Sequence, residues 1–177
     1  NKIFVTPGIS LRQKQFKIKN SGTKLQRDVN LYTSNIDSQK IIAITGTNGK
    51  STTTKLLGDV LKKNNIKTFV GGNIGKPLCN SLIYKKKYRY HVIELSSFQL
   101  ETVKNLNSKI SIITNLSSDH LDRYKNISDY INQKQNIITK KGVNIISLDD
   151  KYSKKIYLKK SIKNKISFSL FNKKADF

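Results

Sequence analysis

Gly46-Thr47-Asn48-Gly49-Lys50-Ser51 brings together the groups that a phosphate ester requires. Glycines let the backbone wrap closely around an anion, so that successive N–H groups face its oxygens. Lys50 adds a point charge for the outer phosphates, and the Ser51 hydroxyl can ligate Mg²⁺. The eight-residue form of such a loop would carry Gly at position 44, where this chain has Ile44; the loop is the shorter G-x-x-G-K-S form. Three further segments carry chemistry. Gly71-Gly72-Asn73-Ile74-Gly75 fits either a close approach to a ligand or a plain tight turn, and the Asn73 amide could reach a phosphate or an acyl oxygen. Glu94, one of two Glu in the chain, ends the apolar run Val92-Ile93. A carboxylate buried there requires a partner, and a divalent cation beside the phosphate loop is expected in preference to a salt bridge. The other Glu, Glu101, is expected at the surface or as a helix cap. His120 stands among Asp119 and Asp122, which points to a metal or phosphate role. Zinc is disfavoured, because Cys79 is the only thiol and His91 the only other imidazole. Residues 91–122 hold four acids against two lysines, so the chain's scarce acids gather where a cation is expected, against a formal net charge of +23 overall.

These residues need elements to hold them at the ends of strands. Ile41-Ile42-Ala43-Ile44 is a continuous apolar run, the pattern of a strand covered on both faces. Thr53–Lys63 predicts a helix with Leu56, Leu57, Val60 and Leu61 on its buried stripe. Strands are predicted at Ile3–Val5, Thr68–Val70, Tyr90–Leu95, Ile110–Thr114, Val143–Ser147 and Ile166–Leu170. Further helices are predicted from Asp28, as N-cap, to Ile36 and over Ile127–Ile138. Residues 10–27 are polar and poorly periodic. Strands separated by helical stretches make an α/β fold with a mostly parallel, doubly wound sheet, which binds ligands at the carboxyl ends of its strands. Polar or Gly-rich motifs follow Ile44, Val70, Leu95 and Thr114, the ends of four predicted strands.

The chain has 177 residues, enough for one domain of about 100–200 residues. It contains no Met and begins with Asn1, which suggests a piece of a longer product. The single Cys excludes an intrachain disulfide framework and fits a reducing compartment; Cys79 itself is expected to pack as a small buried hydrophobe. There is no apolar run of membrane-spanning length. The 34 basic residues are 30 Lys and only 4 Arg. A nucleic-acid surface would favour Arg forks and interleaved aromatics. Lys, Asn and Ile are all served by A/T-rich codons, which accounts for the excess without a partner. The dense run Lys151, Lys154, Lys155, Lys159, Lys160, Lys163 and Lys165 reads as a solvated face.

The segments Ile44–Thr52, Gly71–Gly75, Glu94–Glu101 and Asp119–Tyr124, taken in order, resemble the Mur ligases, which build the peptide of bacterial peptidoglycan. The match is firm over residues 40–135 and weaker to about 170. The resemblance implies an ATP-dependent carboxylate–amine ligase, with ATP and Mg²⁺ as cofactors. The second and third segments are most similar to the branch that joins D-glutamate to UDP-N-acetylmuramoyl-L-alanine through an acyl phosphate, acting as a cytoplasmic monomer. By motif match, Gly46, Thr47, Asn48, Gly49, Lys50, Ser51 and Thr52 hold the nucleotide. Lys50, Asn73, Glu94, His120 and Lys134 are the catalytic set, and Ser51 and Glu94 bind the first Mg²⁺. His120 would bind a second, with Lys134, matched by the Tyr130-x-x-x-Lys134 spacing, as a carbamate ligand. Thr6-Pro7-Gly8-Ile9 resembles the end of the family's UDP-binding domain. Residues 1–27 then form a remnant of that domain and residues 28–177 a truncated ATP-binding domain, the C-terminal domain being absent, and the chain alone is expected to show no ligase turnover. The rivals are another Mur or folylpolyglutamate-type ligase, against which the Ser-Ser-Phe-Gln segment argues, and a non-catalytic basic P-loop module that binds nucleic acid.

Overall fold

The computed structural model describes residues 2–11, 24–83, 87–104, 106–120 and 122–177. Most of the polar stretch 10–27, and Leu121 within the Asp-His motif, lie outside the described residues. Six strands form one parallel sheet: β3 (Ile41–Thr45), β4 (Thr68–Gly72), β5 (Tyr90–Glu94), β6 (Ile110–Ile113), β7 (Val143–Ser147) and β8 (Lys165–Phe168), in the order β4-β5-β3-β6-β7-β8. A separate parallel pair joins β1 (Lys2–Phe4) to β2 (Lys24–Gln26), the second of which has no predicted counterpart. Helices α1 (Asp28–Thr33), α2 (Lys50–Lys63), α3 (Asn80–Ile83), α4 (Ser97–Leu100), α5 (Ile127–Gln135) and α6 (Lys151–Tyr157) complete the fold.

β3 is central because both its faces are apolar. Ile41 and Ala43 belong to the large core on one side, with Ile93, Leu95, Ile113, Tyr130 and Ile137. Ile42 and Ile44 turn to the other, where Val92 joins them and Leu57 and Leu61 of α2 cover them. From β3 the chain leads to β4 on one side, and from β6 it leads to β7 on the other. The loops after β3 and β6 therefore diverge at the point where doubly wound sheets leave a crevice.

Four details depart from the sequence expectations. Helix α2 begins at Lys50 rather than Thr53, and its apolar residues do not form one buried stripe: Leu56 and Val60 are exposed. The face against the sheet is Thr54, Leu57, Gly58 and Leu61, and it includes glycine because a Cβ at Gly58 would stand 2.4 Å from Val70 Cγ2. Helix α1 is capped by Arg27, while Asp28 lies in its first turn and accepts from Gln99 Nε2 at 3.1 Å. Cys79 is half-buried rather than buried. Helix α6 is absent from the expectations; Asp150 caps it by accepting from the amides of Tyr152 and Ser153. Its lysines are exposed, as a solvated face requires, and Ser153 and Ile156 face inward.

Candidate functional site

The phosphate loop is held by its neighbour across the crevice. The Thr47 amide donates to the Asn115 carbonyl at 2.9 Å, and the Asn48 amide to Asn115 Oδ1 at 2.9 Å. Asn115 Nδ2 and Thr114 Oγ1 both donate to the Asn48 carbonyl, at 2.9 and 2.8 Å. Each peptide oxygen so engaged leaves the loop with a fixed shape before any ligand arrives. Lys50 lies at the head of α2, where the dipole and free amides favour an anion. Its ammonium donates to the Thr47 carbonyl at 2.7 Å, which folds the side chain over the loop. Ser51 and Thr52 line an open hollow of about 450 Å³ shared with Lys55, Leu56, Asp59 and Ile74.

Glu94 is 1% exposed at the end of β5. Its Oε2 accepts from Ser51 Oγ at 2.8 Å and its Oε1 from Asn73 Nδ2 at 2.8 Å. Among the described residues no ion pair reaches it, although its charge acts on the Lys134 ammonium. Asn73 is brought there by the glycine turn. A Cβ on Gly72 would lie 2.2 Å from the Glu94 carbonyl, and that close approach lets the Asn73 amide donate to the same carbonyl at 2.9 Å. The tight turn and the chemistry are one feature.

Lys134 is 2% exposed, and its ammonium donates to the Gly46 carbonyl at 2.7 Å and to Thr45 Oγ1 at 3.3 Å. Burial first, and then the nearby Lys50 charge, push its pKa down to about 7. It shares a face of α5 with Tyr130, whose hydroxyl lies 3.2 Å from Thr47 Oγ1 and whose phenol burial pushes up to about 12. Tyr130, Thr45, Thr114 and Asn115 shape the site without having been assigned roles in it from the sequence. The Tyr-x-x-x-Lys spacing pointed to Tyr130, but nothing local marks Thr45, Thr114 or Asn115, whose parts depend on β3 and β6 being neighbours.

Among the described residues, the contacts of His120 are with Asp119, Phe98, Tyr130, Arg123 and Tyr124. Its imidazole is half-exposed, with Nε2 3.3 Å from Asp119 Oδ2, and its ring lies 4.9 Å from Phe98 and 6.2 Å from Tyr130. Its φ of 53° is left-handed, a strain of about 1–3 kcal/mol for such a residue. Glu101 corrects the surface expectation outright: its side chain is 8% exposed and pairs with Arg27 at 2.7 Å and Arg123 at 3.2 Å.

Among the described residues no three His, Cys, Asp or Glu side chains gather into one cation site. The groups present near the loop are the Ser51 hydroxyl and the buried Glu94 carboxylate, both hard oxygen donors. That set fits Mg²⁺, which takes few protein ligands and completes its shell with phosphate and water.

A glycine-rich loop ending in Lys-Ser, set between a buried strand and a helix at the switch point of a parallel sheet, places the chain among the α/β domains with a phosphate-type loop. More narrowly, the chain belongs to the Mur ligase family: its residues 44–177 match the Mur ligase middle domain. It is 38% identical over 176 residues to the UDP-N-acetylmuramoylalanine--D-glutamate ligase of Rickettsia bellii, covering 97% of this chain and 38% of that protein. To the ligase of the same name from Aliivibrio fischeri it is 42% identical over 150 residues, 84% of this chain and 33% of that protein. The chain thus spans about a third of the length of these relatives. Among solved structures, MurF ligase from Thermotoga maritima in complex with ADP superposes with a TM-score of 0.64 at 18% identity, over 96% of this chain and 48% of that one. The likeness concerns the fold, and it bears out the doubly wound α/β expectation.

Proposed function

We propose that this chain is the ATP-handling part of a carboxylate–amine ligase that adds D-glutamate to UDP-N-acetylmuramoyl-L-alanine, in the synthesis of peptidoglycan precursors. The observation that carries the chemistry is Glu94, a buried carboxylate held between Ser51 and Asn73 beside the Lys50 loop. The substrate pair is supported by the names of the relatives at 38–42% identity. In this reading residues 28–177 are the ATP-binding domain and residues 1–27 belong to the preceding UDP-binding one. The protein is taken as a cytoplasmic monomer without a specific nucleic-acid partner. Among the described residues no helix is long and apolar enough to cross a membrane.

The loop amides of residues 46–52 and the Lys50 ammonium hold the ATP phosphates, Lys50 exchanging the Thr47 carbonyl for phosphate oxygen. Ser51 and Glu94 hold Mg²⁺, which when bound neutralises charge that builds on the transferring phosphoryl group. The γ-phosphoryl group passes to the L-alanyl carboxylate, giving ADP and an acyl phosphate. The D-glutamate amine then attacks the acyl carbon and inorganic phosphate leaves. Asn73, held by Glu94, would donate to the acyl oxygen. His120, with Lys134 as its carbamate, would hold a second Mg²⁺. A pKa near 7 leaves a large fraction of Lys134 as the neutral amine, the form that adds CO₂ with loss of a proton.

The test is ADP release by the protein extended to the length of its relatives. Release requiring both UDP-N-acetylmuramoyl-L-alanine and D-glutamate is expected; release indifferent to D-glutamate would overturn the assignment. The 177-residue chain alone is expected to bind Mg-ATP and to turn nothing over. For the carbamate, a Lys134→Ala variant should lose activity and recover part of it with added short carboxylates. Absence of rescue, together with wild-type activity that ignores CO₂, would remove it.

A further inference from the structure

Glu101 lies outside the phosphate loop, yet two distant segments meet on it and a third is held through them. Arg27, 0% exposed, pairs with its Oε2 at 2.7 Å and donates to the carbonyls of Val5 at 3.2 Å, Ile9 at 3.0 Å and Thr6. Arg123 meets the same oxygen at 3.2 Å and donates to the carbonyls of Gly8 at 3.1 Å and Ile9 at 3.2 Å. The Tyr124 hydroxyl donates to Oε1 at 3.3 Å. One carboxylate and two guanidinium forks therefore gather four backbone carbonyls of residues 5–9. In the same segment the Val5 amide donates to the Gln26 carbonyl and the Ile9 amide to that of Thr6.

The same pair reaches His120. The Arg123 guanidinium lies 3.8 Å over the Phe98 ring, and Phe98 lies 4.9 Å from the His120 ring. Arg123 and Tyr124 also donate their amides to the His120 carbonyl, at 3.0 and 3.1 Å. A left-handed residue persists only where its surroundings over-determine it, and here those surroundings are the two residues bound to Glu101.

We propose that Glu101, through Arg27 and Arg123, is a positioning residue that locks segment 5–9 and the His120 loop into one unit, so that neither can shift without the other. The inference rests on the ligase reading for its kinetic consequence, but not for its structural one. A neutral residue at 101 leaves two buried guanidiniums without a counter-charge, which strips the unit of its centre.

The structural arm is amide hydrogen exchange on this chain. Glu101→Gln is expected to speed exchange at the hydrogen-bonded amides of Val5 and Ile9 and at those of Arg123 and Tyr124 together, by about tenfold or more. Arg123→Lys keeps the charge but loses the fork and the flat stack on Phe98, so it is expected to give a smaller joint acceleration. It also serves if Glu101→Gln does not fold. The kinetic arm uses the protein at the length of its relatives. There kcat is expected to fall about tenfold to a hundredfold, as for a slight misplacement of a catalytic group, with KM for ATP within about twofold because the Lys50 loop is not touched. Exchange that rises at only one of the two segments, or in neither, overturns the proposal, as does a kcat unchanged in an active ligase. A wild-type protein without ligase turnover would fail the functional reading alone, and the exchange arm would still decide the clamp.

Discussion

Replacing Lys134 by Met should make the protein more stable at neutral pH, and the gain should shrink as pH rises. The ammonium is 2% exposed, and burial together with Lys50 holds its pKa at about 7 against an ordinary value of 10.5. Below pH 7 both the folded and the unfolded chain carry the proton, and the folded state bears the full cost of burying the charge. Between about pH 7 and 10.5 the unfolded chain binds the proton and the folded one does not, so stability rises with pH by up to about 1.4 kcal/mol per pH unit. Over the whole window that amounts to about 5 kcal/mol. Met fills much of the same volume without the charge, but it abandons the Gly46 carbonyl and Thr45 Oγ1, at a cost of about 1–3 kcal/mol. The net expectation at pH 7 is a variant more stable by about 2–4 kcal/mol. The two stabilities should meet near pH 9, about where the lost hydrogen bonds balance what remains of the charge cost. Urea unfolding of both proteins in CO₂-free buffer between pH 6.5 and 9.5 measures this, and the difference between them cancels every other titrating group. Stability curves that run parallel across that range would refute the buried, depressed ammonium.

Three further outcomes are expected. Lys50→Ala should weaken Mg-ATP binding by about ten- to a hundredfold, the worth of one charge-assisted contact, with the melting curve little changed; titration with a fluorescent nucleotide reads it. Glu94→Gln keeps an acceptor for Asn73 and a partner for Ser51, so stability should move by no more than about 1 kcal/mol, while nucleotide binding loses its dependence on Mg²⁺ in calorimetry with and without the ion. Asn144→Ala should cost about 2–4 kcal/mol by urea unfolding. That side chain accepts from the Thr139 amide and Ser111 Oγ and donates to the Thr139 and Lys163 carbonyls, all left unpaired at the β6–β7 end.

The amino-acid sequence by itself determined the chemistry-bearing residues and the kind of sheet that carries them. The continuous apolar run Ile41–Ile44 has the pattern of a strand covered on both faces, and the structure buries every residue of it. A Gly-rich loop ending in Lys-Ser, between such a strand and a helix, leaves little choice of what it binds. Ser51, Asn73 and Glu94 were each legible because each follows a strand, and a parallel sheet puts all such ends on one edge. Local pattern failed where the outcome depended on which strands are neighbours. Glu101 read as a surface or capping residue because its actual partners, Arg27 and Arg123, are 74 and 22 residues away, while the nearby Lys104 is not among them. The helical stripe of α2 was misplaced because Val70, on another strand, demands a glycine at 58 and turns Leu56 and Val60 outward. Lys134 could be named from a spacing, but its burial is a tertiary fact. Only the divergence of the chain at β3 and β6 sets α5 against the phosphate loop, where a long cationic side chain must give up water and, with it, most of its hold on the proton.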